Sequence, residues 1–198
     1  GSKKVRWVLA LPEVYEIGMS NYGLRILYSI INRLPNGCCE RSYVPWPDFG
    51  AVMKARGIPL YALESRRPVK EFNILGVSLQ SELTYTNLLY LFDLTGIPRY
   101  RRERQKGDPL IVAGGPGAVN PLPLVDFIDV FVIGDGEEVV REITDVYEGW
   151  NHRDRDTLLA HLASLPGVYV PGFADTGRCR VIRRVVPELR EEDFPFPP

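Results

Sequence analysis

Few side chains in this sequence are of kinds that do chemistry unaided. The histidines are His152 and His161, and the cysteines are Cys38, Cys39 and Cys179. Both histidines fall in a polar stretch with helical spacing and no metal-ligand spacing, and read as solvated surface residues. Adjacent Cys38 and Cys39 do not form a C-x-x-C ligand pair, and three thiols do not suggest a secreted disulfide framework. Ser78 and Ser81 have no base placed beside them in the sequence. These residues make no convincing catalytic constellation, which turns attention to the glycines.

Three glycine-bearing loops stand out. In "EIGMSNYGLR", Gly18 and Gly23 have P-loop spacing, but Leu24-Arg25 replaces the Lys-Ser/Thr that touches phosphate and magnesium. In "GDGEEV" (134–139) the third position of a dinucleotide fingerprint is valine, and two glutamates stand where pyrophosphate needs uncompensated donors. Nucleotide or flavin binding is therefore the weakest reading. In "GGPGAVNPLPL" (114–124) two glycines close a strand, where missing side chains let a flat group approach the sheet edge. A tight turn is the plain alternative.

These loops need elements to hold them. Apolar runs at 5–11, 40–45, 73–79, 109–114 and 129–134 have the length and β-branched or aromatic content of strands, and their continuous hydrophobicity suits strands covered on both faces. Helical spacing fills the gaps. Leu24, Leu27, Ile30, Ile31 and Leu34 share one face, with Ser20 or Asn21 placed to cap it and "PNG" to end it. Further helices are expected at 47–57, 82–96 and 137–150. The alternation predicts an α/β fold: a flavodoxin-like (Rossmann-like) doubly wound, five-stranded parallel sheet of order 2-1-3-4-5. Its ligand crevice lies at the carboxyl ends of the strands, lined by loops 12–20, 80–83 and 114–123. The loop after the first strand exceeds the roughly 2–6 residues usual for such a connection, so it is either padding or a ligand site.

After residue 150 the character changes. A short helix at 153–167 and two strands within 168–186, turning at "DTG", predict a small helix-plus-hairpin appendage. The division expected is an expression scar at 1–2, a domain over 3–150, and an appendage and linker over 151–198. The proline-dense close "EEDFPFPP" reads as a linker. The formal net charge of −1 argues against a general nucleic-acid binder, although "RYRRER" (99–104) reads as an exposed basic cluster. No run is long and apolar enough to span a membrane and no signal peptide opens the chain, so a cytoplasmic location is expected.

The loops resemble those of cobalamin-binding domains, which carry D-x-H-x-x-G after the first strand, S-x-L after the third and G-G after the fourth. Here stand Glu13-x-Tyr15-x-x-Gly18, Ser78-x-Gln80 and Gly114-Gly115. The resemblance implies that Gly18 and Ser78 serve the nucleotide tail and that Gly114 and Gly115 let it pass the sheet. It also implies that Tyr15 and Met19 pack against the macrocycle and that Glu13 and Asn21 meet its amide rim. Tyr15 replaces the cobalt-ligating histidine, and a phenol is no such donor at neutral pH, so a histidine-off cobalamin is implied. More narrowly, "PEVYEIGMSNYGLRILYSIIN", "GGPGAVNPLPLVDFIDVFVIGDGEE" and "EEDFPFPP" resemble the N-terminal region of cobalamin-binding radical S-adenosylmethionine (SAM) proteins. That implies a following barrel as partner, holding an iron–sulfur cluster and S-adenosylmethionine on a C-x-x-x-C-x-x-C triad that these 198 residues lack. The alternative is a scaffold or interaction domain that keeps the fold and binds no cobalamin.

Overall fold

The computed structural model describes residues 4–150, 154–173 and 181–195. In chain order the regular elements are β1 (Val5–Leu11), α1 (Tyr15–Gly18), α2 (Tyr22–Arg33), β2 (Gly37–Tyr43), α3 (Pro47–Ala55), β3 (Ile74–Ser78), α4 (Tyr85–Thr95), β4 (Leu110–Gly114), β5 (Val130–Val132), α5 (Val139–Gly149), α6 (Arg155–Ala163) and β6 (Val168–Tyr169). The sheet runs β2-β1-β3-β4-β5-β6, and its first five strands are parallel. That is the expected 2-1-3-4-5 order with one addition. A sixth strand, β6, pairs antiparallel with β5 through Phe131–Tyr169 and Val132–Val168.

Both sheet faces are covered, which is why the strands read as unbroken apolar runs. Trp7, Leu9, Ile74, Leu110, Val112 and Val130 face α2, α5 and α6. Val8, Leu75, Val77, Ile111 and Phe131 face α3 and α4 across a separate core that holds Met53, Leu88 and Phe92. Asn21 rather than Ser20 caps α2, its Oδ1 accepting from Leu24 N at 2.8 Å. Cys39, on β2, is buried, and burial pushes its thiol well above the ordinary range.

The segment after residue 150 is built into this frame, not hung from it. Leu158, Leu159 and Leu162 of α6 join the core beside α5. The first expected hairpin strand, β6, hydrogen-bonds to the edge of the main sheet, while the "DTG" turn and the start of the second expected strand, within 174–180, lie outside the described residues. Among the described residues the chain after that turn makes one parallel bridge, Gly134 to Arg184. A three-residue β5 offers an open edge, and the returning chain satisfies part of it.

The basic run 99–104 is exposed at Arg99, Tyr100, Arg102 and Glu103, as expected, but Arg101 and Arg104 are built into the structure. Arg99 pairs with Asp93, Arg101 donates to Pro171 O at 3.1 Å, and Arg104 is buried. Arg104 Nη1 lies 3.0 Å from Asp129 Oδ2, too poorly aligned for a hydrogen bond, while its Nε and Nη2 donate to Pro98 O and Arg99 O. Arg155, at the start of α6, and Ile111 N reach the same Asp129 oxygen at 2.9 and 2.8 Å. Burial lowers the Arg104 pKa, against the pull of Asp129. One carboxylate thus ties β4, β5, α6 and the 99–104 turn together. Asp129→Ala is expected to destabilise the fold by about 3–5 kcal/mol, because it leaves a buried guanidinium unpaired; urea denaturation measures the loss.

Candidate functional site: a cleft at the carboxyl ends of β3 and β4

Side-chain volume is smaller towards the carboxyl ends of β3 and β4 than at their amino ends, on the face towards α2 and α5. On β3 it runs Ile74, Gly76, Ser78, and on β4 Leu110, Val112, Gly114, with Ser78 paired to Gly114. At the amino ends the helices rest on bulky side chains. Towards the carboxyl ends there is nothing of that size to fill the space, and a cleft of about 500 Å³ opens. Its walls are apolar (Leu24, Leu27, Val132, Val139, Val140), and its polar groups come from Asn21, Ser78, Gln80, Asp135, Glu137 and Arg183.

Each glycine has its own reason. A Cβ on Gly76 would sit 2.6 Å from Leu9 Cδ2 and 3.4 Å from the Trp7 ring, so both side chains lie across it. On Gly114 a Cβ would meet only Val132 Cβ, at an ordinary 3.8 Å. Gly115 has φ +92°, and a Cβ there would lie 2.7 Å from Leu79 O. Its turn folds over the backbone of Leu79, which donates to Gly114 O at 2.8 Å and accepts from Gly117 N at 2.9 Å.

Of the residues singled out in the sequence, Asn21, Ser78, Gln80, Gly114 and Gly115 line this cleft. Gln80 folds back, its Nε2 donating to Ser78 Oγ at 2.7 Å, and leaves the space open. Glu13, Tyr15, Gly18 and Met19 lie outside it. The long loop contains the four-residue α1 and turns over the end of β2: Val44 N donates to Glu13 O, and the Tyr15 ring meets Tyr43 edge-on at 5.6 Å. Gly18 is buried where a Cβ would strike the Tyr43 ring, and Tyr15 and Met19 remain 48% and 45% exposed. Sequence reasoning passed over Gly76, although a glycine inside a strand is a signal of close approach. It also passed over Leu24 and Leu27, which it assigned to the core face of α2.

A sequence model of the family described as "Radical SAM proteins, N-terminal" matches residues 23–171. The chain belongs to that family. Two solved structures of the radical S-adenosylmethionine methyltransferase TsrM from Kitasatospora setae are similar in fold, one with cobalamin and a [4Fe-4S] cluster bound, the other with tryptophan substrate and a SAM analogue. Each gives a TM-score of 0.52 at 16% identity over 83% of this chain. The match spans 28% of the TsrM chain, so this radical SAM N-terminal domain corresponds to under a third of that enzyme. No curated protein matches its sequence. No helix among the described residues is long and apolar enough to cross a membrane.

Gly114 and Gly115 should separate in stability measurements. Gly115→Ala is expected to cost about 1–3 kcal/mol, from positive φ and the contact with Leu79 O. Gly114→Ala is expected to cost less than about 1 kcal/mol, a difference that thermal denaturation of the two variants resolves.

Proposed function

We propose that this domain holds cobalamin at the carboxyl ends of its sheet, for radical SAM chemistry carried by a C-terminal domain of the same polypeptide. The observation that carries the reading is the cleft over Gly76 and Gly114. It lies at the carboxyl ends of the parallel strands, where open α/β sheets take their ligands, and its glycine floor and apolar walls admit a long, slender group. Tyr15 and Met19 stand away from it and Gln80 is folded back, so the side chains expected to fill the space under a scaffold reading do not fill it.

The size of the cleft divides the ligand. About 500 Å³ suits a drug-sized group, which matches the nucleotide tail and leaves the macrocycle outside. Exposed Val119 lines the cleft and supplies apolar contact there. When bound, cobalamin supplies a cobalt centre able to carry an alkyl group. The domain's own part is to bind and orient it. On this reading the iron–sulfur cluster, S-adenosylmethionine and the reacting substrate belong to the C-terminal domain.

Gly114→Val is the variant that tests this reading, since it places a side chain in the cleft without the strain expected at Gly115. The wild-type chain, titrated anaerobically with hydroxocobalamin and desalted, is expected to keep a corrin absorbance. Gly114→Val is expected to bind at least about tenfold more weakly while melting within a few degrees of wild type. Equal retention by the two proteins would refute the location of the site.

A further inference from the structure

The turn between β5 and α5 and the first turn of α5 carry four acidic residues, and three of them are engaged. Asp135 Oδ2 accepts from Val186 N at 2.8 Å. Glu138 accepts from Arg184 Nη2 at 2.8 Å, and Glu142, one turn into α5, takes both guanidinium nitrogens at 2.7 Å. These contacts raise the Arg184 pKa. They also hold Arg184 beside Gly134, whose φ of +113° and lack of a side chain admit the Arg184 backbone.

Glu137 is different. It lines the cleft, and its Oε2 is buried with no hydrogen-bond partner. A carboxylate oxygen taken from water without a donor loses its hydration for nothing in return, and here Asp135 and Glu138 stand beside it in the chain with their own negative charge. Support of the helix start does not account for it, because Glu138 and Glu142 already hold that turn through Arg184.

We infer that Glu137 is the specificity-determining acceptor of the cleft: its unpartnered oxygen takes a hydrogen bond from a neutral N–H or O–H group of the bound ligand. This rests on the cobalamin reading, under which the donor is either a corrin amide or the ribose hydroxyl of the nucleotide tail.

Three proteins decide it: wild type, Glu137→Leu and Glu137→Gln. Each is melted without ligand, then titrated with hydroxocobalamin and with dicyanocobinamide, which keeps the amides and lacks the nucleotide. Glu137→Leu is expected to melt higher than wild type, since it removes an unsatisfied carboxylate, and to bind hydroxocobalamin about tenfold more weakly. Glu137→Gln, which keeps an acceptor oxygen, is expected to stay within about threefold. Weakening of both corrinoids by Glu137→Leu assigns the donor to an amide; weakening of hydroxocobalamin alone assigns it to the ribose. Unchanged affinity in Glu137→Leu, or a lower melting temperature in both variants, would overturn the inference and return Glu137 to a structural role. If wild type binds neither corrinoid, the cofactor reading falls. The melting temperatures then still decide whether Glu137 is held for a ligand, a rise in Glu137→Leu supporting it and a fall refuting it.

Discussion

A tryptophan lying over a glycine sets the geometry of this domain. Trp7 of β1 is almost wholly buried, and its ring lies over Gly76 of β3 beside Leu9, whose Cδ2 would stand 2.6 Å from a Cβ there. Its Nε1 donates to Thr144 Oγ1 at 3.0 Å, and Thr144 in turn donates to Val140 O at 2.6 Å within α5. The indole therefore fixes how high α5 rides above the sheet. Interiors close-pack wherever side chains allow, and below Trp7 they do. Beyond it, towards the strand ends, Gly76, Ser78 and Gly114 leave α2 and α5 with nothing to close upon, and the cleft is the result.

The remaining parts secure this frame at its two ends. At the amino ends of the strands, Asp129 gathers Arg104, Arg155 and the amide of Ile111. At the carboxyl ends, the returning chain docks on Gly134 and clamps the first turn of α5 through Arg184. The turn at 134–137 thus has two sides, one holding the returning chain and the other lining the cleft. Further on, Asp193 pairs with Arg141 of α5, and Phe194 O accepts from Arg33 of α2. The last described residues consequently run over the same two helices that wall the cleft.

Much of the fold was legible because it is written in periodicity: five buried runs alternating with helical spacing left few arrangements open, and the strand order followed. β6 was not legible, since two residues carry no period and their pairing depends on the open edge of a short β5. Within the basic run, composition could not show that Arg104 alone is folded away onto Asp129. Ser78, Gly114 and Asn21 were expected at the strand ends from loop position, and they line the cleft. The long loop after β1 was placed in the crevice, whereas the Tyr43 ring, far away in sequence, draws Tyr15 and Gly18 to the end of β2. Gly76 and Glu137 acquire meaning only from neighbours distant in the chain, Trp7 in one case and the already paired Glu138 in the other.

The central claim is that the gap over Gly76 and Gly114 is a cofactor site. The most direct measurement is a crystal structure of the chain grown with hydroxocobalamin. The account predicts density for the nucleotide tail between α2 and α5, over Gly76 and against Gly114, with the corrin outside, beside Val119. Cobalamin bound at another surface, or a cleft that stays empty at saturating ligand, would contradict it.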